Sequence, residues 1–85
     1  MIPFIKGDCY NVECILRTQD ISVNALEESL KGLGQGLKII QLDEIKGNTI
    51  FKIKINTQQP EILFDTCCLF GRLDKIIVNK LDKEA

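Results

Sequence analysis

The stretch Ile50–Asn56, which reads IFKIKIN, decides the fold of this chain because apolar and polar side chains alternate along it. A period of two is typical of a β-strand that buries one face and exposes the other. Phe51, Ile53 and Ile55 would face the core, and Lys52 and Lys54 would face the opposite side. The elements on either side of this strand must therefore supply the layer that covers its apolar face.

The residues before this strand predict a hairpin. Leu37–Ile45 reads as a strand whose alternation slips at Ile39–Ile40, which indicates a β-bulge or burial on both faces. Lys46–Thr49 follows, with Gly47-Asn48 as the expected two-residue turn.

A strand and a helix are predicted at the start of the chain. Tyr10–Thr18 alternates, with Val12, Cys14 and Leu16 on one face. Ser22 is the expected N-cap of the helix, and Ile21 is expected to pack on Leu26 as a hydrophobic staple. The apolar stripe of that helix is predicted to comprise Val23, Leu26, Leu30 and Leu33, and glycines at 32, 34 and 36 end it.

The end of the chain predicts a second helix and a last strand. Pro60 suits a first helical turn, Glu61–Phe70 continues the helix, and Gly71 closes it. A strand over Lys75–Lys80 follows. The apolar residues of the second helix are also compatible with a buried strand, so this element is the least certain by pattern.

The resulting order, strand–helix–strand twice over, predicts an α+β fold of the ferredoxin-like βαββαβ plan. We expect a four-stranded antiparallel sheet with two helices on one face. The 85 residues are expected to form a single domain, 1–85, with an N-terminal arm over 1–9 and a frayed tail over 82–85.

Composition excludes several functions. Eleven Lys and Arg stand against twelve Asp and Glu, so the net charge is −1, which argues against nucleic-acid or membrane-surface partners held by bulk electrostatics. No apolar run is long enough for a membrane span, and Met1–Ile5 is too short for the core of a signal peptide. We therefore expect a cytoplasmic protein.

The four cysteines, at 9, 14, 67 and 68, have neither the paired spacing of a zinc site nor a His to assist them. They are expected to be reduced thiols that pack as small apolar side chains. No pair of carboxylates stands out either. We therefore expect no catalytic residue, no metal and no cofactor.

Apolar residues on the outward positions are the most informative feature of the sequence. They predict an oligomer interface, with a dimer as the first expectation, or a docking surface for a protein partner. The alternative is scattered surface side chains, which are common. The predicted interface residues are Ile15, Ile40, Leu42, Ile50, Phe64, Cys68 and Ile77.

Two further patterns favour ordinary structural roles. Gly32–Gly36 has the composition of a phosphate-binding loop but follows a helix, whereas a phosphate site precedes one, so a helix end and a turn are expected. Lysines at 38, 46, 52 and 54 form either a basic patch or a lysine-guarded sheet edge. RNA binding would require aromatic residues on the lysine face, and Phe51 is predicted on the other face.

Asn24–Ile45 resembles the segment from first helix to second strand of ACT-like domains, and Pro60–Val78 resembles their second helix and closing strand. ACT-like domains are small regulatory modules that bind amino acids or similar ligands and pair through sheets or helices. The resemblance implies a ligand loop after the first strand, where Asp20 matches part of an Asp-x-Pro-Gly-like turn. Asp20, Ser22 and Asn24 are then the candidate ligand-binding residues for a small molecule.

Three functions remain open at this point. The first is a non-catalytic, self-associating module with a regulatory, ligand-binding role. The alternative is a subunit or adaptor of a larger assembly that docks through its second helix. A small thiol- or metal-dependent enzyme is the third, and the missing His argues against it.

Overall fold

A computed structural model describes residues 8–81 of the chain. The predicted arm over 1–9 and tail over 82–85 lie outside these residues, except for Asp8 and Cys9. The described elements are β1 (Tyr10–Gln19), α1 (Val23–Leu30), a 3-10 turn (Lys31–Leu33), β2 (Gln35–Ile45), β3 (Asn48–Thr57), α2 (Pro60–Cys68) and β4 (Gly71–Lys80). The α+β class, with four strands and two helices, is confirmed.

The four strands form one antiparallel sheet in the order β2-β3-β1-β4. The two inner strands, β1 and β3, pair without interruption over ten positions, from Tyr10 opposite Thr57 to Gln19 opposite Asn48. Both edge strands, in contrast, contain register shifts against their neighbours. The regular part of the sheet is therefore its centre.

One face of the sheet and both helices build a common core. The buried apolar side chains are Tyr10, Val12, Cys14 and Leu16 of β1, Phe51, Ile53 and Ile55 of β3, Leu26 and Leu30 of α1, and Leu63 and Cys67 of α2. The alternation that the sequence predicted for both inner strands is thus confirmed. Because both helices contribute to this cluster, they cover the same face of the sheet, and the opposite face has no layer over it.

Helix α1 begins as predicted. The Ser22 side chain accepts a hydrogen bond from the Ala25 N–H at 3.1 Å, which satisfies one of the unpaired amides of the first turn. Leu26 and Leu30 of the predicted stripe are fully buried. Val23 is 41% exposed, so its place in the buried stripe was wrong. It occupies the first turn, where the helix has not yet come over the core.

The hairpin turn lies one residue earlier than predicted. Ile45 pairs with Asn48, so the two turn residues are Lys46 and Gly47, with φ of 51° and 84°. Positive φ at both central positions is the requirement of a type I′ turn. The predicted Gly47-Asn48 turn is wrong because Lys46 adopts a conformation that favours Gly or Asn, which the residue type does not reveal.

Strand β2 begins at Gln35, two residues before the predicted start, and is bulged at two places. One extra residue lies between Gln35 and Lys38, and a second, Leu42, lies between Gln41 and Asp43. The predicted slip at Ile39–Ile40 is therefore a bulge placed two residues too early. Ile39 and Ile40 keep normal alternation.

The second helix is confirmed as a helix with Pro60 in its first turn, but it ends at Cys68 and not at Phe70. Gly71 does not close it; Gly71 opens β4, four residues before the predicted start at Lys75. Lys75 has φ of 50° and lies in a bulge, because two steps along β1 match three along β4 there. That bulge breaks the alternation and hides the first half of the strand from a pattern search.

The two ends of the described segment lie side by side. The Leu81 N–H donates to the Cys9 carbonyl at 2.9 Å, and the Lys80 ammonium lies 3.3 Å from the Asp8 carboxylate. The chain therefore reaches and leaves the sheet at the same end of β1 and β4.

Gly71 tests how closely the backbones approach where β4 begins. A Cβ at this position would collide with the Arg17 carbonyl, which is backbone and cannot move aside. We expect Gly71→Ala to destabilise the fold by about 1–3 kcal/mol in urea unfolding, the typical cost of overpacking.

Gly32→Ala is the matched control, because a Cβ at Gly32 meets no atom within 4 Å. It should be neutral or stabilise by about 0.4–1 kcal/mol through the unfolded state. Equal losses in the two variants would contradict the close approach at Gly71.

Candidate functional site

The uncovered side of the sheet, which we call the outer face, carries apolar side chains at its centre. Residues directly opposite each other in a sheet share a face. Ile15 lies between Lys52 and Asp74, Ile40 lies opposite Lys52, and Ile50 lies opposite Arg17. Ile77, opposite Glu13, completes this group. Ile40 is 46% exposed and Ile77 is 51% exposed, while Ile15 and Ile50 are half-buried.

The predicted interface residues are thus divided between two surfaces. Ile15, Ile40, Ile50 and Ile77 share the outer face, and Leu42 lies beside them in the bulge of edge strand β2. Phe64 and Cys68 belong to α2 on the other side of the sheet. Whether any of them forms an interface stays a prediction.

Two ion pairs cross the outer face on either side of Ile15. The Lys52 ammonium lies 3.0 Å from the Glu13 carboxylate, and the Arg17 Nε lies 2.6 Å from the Asp74 carboxylate. The hydrogen bond from Lys52 lowers the pKa of the Glu13 carboxyl, with Coulombic attraction to the same lysine adding to it. Exposed pairs of this kind contribute little to stability but hold long side chains in defined positions.

Lys38 and Lys54 lie directly opposite each other on the same face. Within residues 8–81, neither ammonium has an ion-pair partner. Like charges placed opposite each other in a sheet are unfavourable. Lys38, Lys52 and Lys54 of the predicted basic patch therefore share one face, while Lys46 is in the hairpin turn.

Helix α2 presents a second apolar surface. Its outer side carries Ile62, 44% exposed, and Cys68, and Leu69 follows at its end with 83% of its surface exposed. We call these three residues the α2 patch. Phe64, in contrast, packs against the core cluster. The sequence predicted this helix to be apolar around its circumference, and the α2 patch is the part that the core does not use.

The candidate ligand residues lie on the loop between β1 and α1, and all three are exposed. Asp20 has φ of 56°, and its N–H donates to the Gly47 carbonyl at 2.9 Å, which ties this loop to the β2–β3 turn. The Ser22 hydroxyl is used as the helix cap, and Asn24 follows in the first turn. Neither of the two clefts found among the described residues is lined by any of them. Ligand binding at these positions stays a prediction.

The larger cleft, about 530 Å³, was not foreseen from the sequence. It is lined by Cys9, Gly32–Gln35 and Asn56–Gln59. The Thr57 hydroxyl joins its two walls, because it donates to the Leu33 carbonyl at 2.7 Å and accepts from the Gln59 N–H at 3.0 Å. The glycine-rich segment therefore meets the start of α2 in space. Only the sheet pairing brings these two segments together, so no local pattern could have revealed the cleft.

A smaller cleft of about 390 Å³ lies at the base of the β2–β3 hairpin. Apolar Ile45 and Ile50 line it together with Arg17 and Asp43. Its mixture of charge and apolar surface continues the chemistry of the outer face.

Cys14 and Cys67 meet in the core. Both are fully buried, and the four cysteines at 9, 14, 67 and 68 are all free thiols. The hydrogen bond with Cys14, together with burial, holds the pKa of the Cys67 thiol far above its usual range. A thiol that resists ionisation is a poor nucleophile and a poor metal ligand. Over residues 8–81, no group of three or more metal-binding side chains is assembled.

These surfaces define a class before any comparison is made: a small α+β domain with one sheet face and one helix side left uncovered. Its described helices are too short to cross a lipid bilayer. The family of FakA-like middle domains, which are domains of a fatty acid kinase subunit, matches residues 8–85, and the chain belongs to this family. No curated protein and no solved structure matches the chain significantly. The matching family is not an ACT-like one, so the ACT-like resemblance is not confirmed.

The capping role of Ser22 is testable against a ligand role. Ser22→Ala removes the acceptor for the Ala25 N–H, and we expect it to destabilise the chain by about 1 kcal/mol in urea unfolding. Ser29→Ala, an exposed serine on the same helix, should change stability by less than about 0.5 kcal/mol. If Ser22→Ala leaves stability unchanged, the hydroxyl is free for another partner.

The burial of the thiol pair predicts the order in which the cysteines react. With Ellman's reagent, Cys68 should react fast, and Cys14 and Cys67 should react only on unfolding, slower by a factor on the order of 10³ or more. Cys68→Ser should remove the fast phase. Fast modification of three or four thiols in the native state would contradict the packing role.

Proposed function

We propose that this chain is a non-catalytic assembly domain of a fatty acid kinase subunit, which docks onto other parts of the kinase through the α2 patch. The observation that carries the proposal is the family match over 78 of the 85 residues, 8–85. The name of that family describes a middle domain within one subunit of an enzyme. A domain in such a position has neighbours, and exposed apolar residues are the chemistry by which neighbours are held.

The α2 patch supports docking through the helix. Ile62 and Leu69 are seven residues apart, which places them on one side of a helix two turns apart. Leu69, at 83% exposure, is the most exposed large apolar side chain of the described residues. An apolar anchor of this kind, surrounded by polar side chains such as Glu61 and Asp65, is the usual centre of a protein interface.

The fold supports the same proposal. We assign the βαββαβ order and the β2-β3-β1-β4 sheet to the ferredoxin-like plan, in which each strand–helix–strand half crosses over one neighbouring strand. The Cys9 and Leu81 backbones are hydrogen-bonded to each other, so polypeptide on either side of a middle domain would attach at one end of the sheet. The α2 patch would then be free to contact a neighbour.

Catalysis is not part of the proposal. The described residues bring together no acid–base pair, and the two thiols that meet are buried and hydrogen-bonded to each other. Self-association through the same patch is a form of docking that the proposal includes, with the dimer as its simplest case. A cytoplasmic location fits a chain that keeps four free thiols.

The test is a binding measurement with one substitution in the patch. The 85-residue chain is titrated against the separately purified companion polypeptides of a fatty acid kinase by calorimetry, and its own association is followed by sedimentation. We expect binding to one of these polypeptides, or self-association. Leu69→Asp should weaken it by roughly tenfold or more, because it places a charge in a desolvated contact.

Val23→Asp is the matched control, since Val23 is a half-exposed apolar side chain on the other helix. It should leave the association unchanged. A chain that stays monomeric at high micromolar concentration and binds no companion polypeptide would contradict the assembly role. Transfer of phosphate from ATP to a long-chain fatty acid by the chain alone would contradict the non-catalytic role.

A further inference from the structure

The outer face differs in charge from the rest of the molecule. By register, its cations are Lys38, Lys52, Lys54, Arg17 and Arg72, and its carboxylates are Glu13, Asp43 and Asp74. The face therefore carries a net charge of +2 in a chain whose net charge is −1. Isoleucines at 15, 40, 50 and 77 lie among these charges. The face is thus apolar at its centre and positively charged, while the remaining surface is acidic.

We propose that the outer face binds an acidic amphipathic helix of a partner protein, with its apolar stripe on Ile40 and Ile50 and its carboxylates on Lys38 and Lys54. This inference deepens the proposed function, because it assigns a second docking surface and the chemistry of what it receives. The two lysines lie opposite each other and have no ion-pair partner among residues 8–81. Carboxylates from a partner would relieve the repulsion between them.

The edges of the sheet are poorly suited to the same task. Edge strand β2 is bulged near Gly36 and at Leu42, and edge strand β4 is bulged at Lys75. Bulges twist an edge and interrupt its row of backbone donors and acceptors, which discourages the addition of another strand. The face, in contrast, is supported by the regular β1–β3 ladder, so its side chains keep fixed spacings.

Other occupants fit the face less well. Two copies placed face to face would bring two net positive surfaces together, which the same lysines oppose. The face has no aromatic side chain for stacking on bases, because Tyr10 and Phe51 are both buried in the core. Three carboxylates on the face would repel the phosphates of an anionic lipid surface. A helix can offer both an apolar stripe and matching charges, and helices already cover the other side of this sheet.

The test uses two synthetic helical peptides of about 18 residues, long enough for five turns, that share an isoleucine and leucine stripe. One peptide has glutamates beside the stripe and the other has lysines. Each is titrated into the ¹⁵N-labelled 85-residue chain, and amide shifts are mapped by NMR. We expect the glutamate peptide to shift the amides of residues 38–41 and 50–54, and the lysine peptide to bind at least several-fold more weakly.

Charge reversal gives the decisive comparison. Lys38→Glu with Lys54→Glu should weaken the glutamate peptide by roughly tenfold and make the lysine peptide the better ligand. Lys46→Glu with Lys75→Glu changes the total charge by the same amount at exposed lysines that also lack ion pairs, and it should leave the preference unchanged. If the double Glu variant does not fold, Lys38→Gln with Lys54→Gln should still abolish the preference.

Three outcomes would overturn the inference. They are no binding of the glutamate peptide at millimolar concentration, shifts that map to α2, and binding of phosphatidylglycerol vesicles or polyuridine with an affinity equal to that of the peptide. Failure here is distinguishable from failure of the proposed function. The peptide titration involves no other kinase component, and the Leu69→Asp experiment does not involve the outer face.

Discussion

The pairing of β1 with β3 is the constraint on which the rest of the structure depends. Ten consecutive residue pairs hold these two strands in register, with Leu16 opposite Phe51 and Cys14 opposite Ile53 on the core side. A shift by one residue would place Glu13 or Lys52 in the core and expose the apolar side chains. Burial of those side chains therefore selects one register, and the helices and edge strands are positioned by it.

The edge strands tolerate the irregularity that the centre excludes. Lys46 and Lys75 adopt positive φ in a turn and a bulge, at exposed positions where the backbone can leave the regular ladder. Each such residue carries a modest conformational cost, which the regular central ladder and the shared core can support. The consequence is a sheet with two interrupted edges and one regular, uncovered face, so association is directed to the face and to the outer side of α2.

The uncovered surfaces also explain why a domain without a visible reaction centre has so much exposed apolar surface. Leu69 and Ile40 contribute nothing to the core, and the ion pairs of Glu13 with Lys52 and of Arg17 with Asp74 add little to stability. Both features have a use when neighbouring parts of a larger enzyme pack against the domain. The buried Cys14–Cys67 contact, in contrast, belongs to the core and connects β1 to α2.

Local sequence was sufficient for the elements whose alternation or periodicity is regular. The alternating residues of β1 and β3, the Ser22 cap and the helical stripe through Leu26 and Leu30 were all predictable, because each depends on neighbours within a few positions. Burial of one face imposes that periodicity on the residues themselves. The α+β class followed from the order of these elements.

Contacts between distant residues decided the remainder. The Lys46-Gly47 turn, the bulges at Leu42 and Lys75 and the early start of β4 are set by register against a neighbouring strand, which no single strand encodes. The cleft between Gly32–Gln35 and Asn56–Gln59 exists only because the sheet brings the start of β2 beside the end of β3. By itself the sequence determined the alternation and the helical periodicity; only the tertiary structure decided which faces stay uncovered, because a surface is defined by what packs on it.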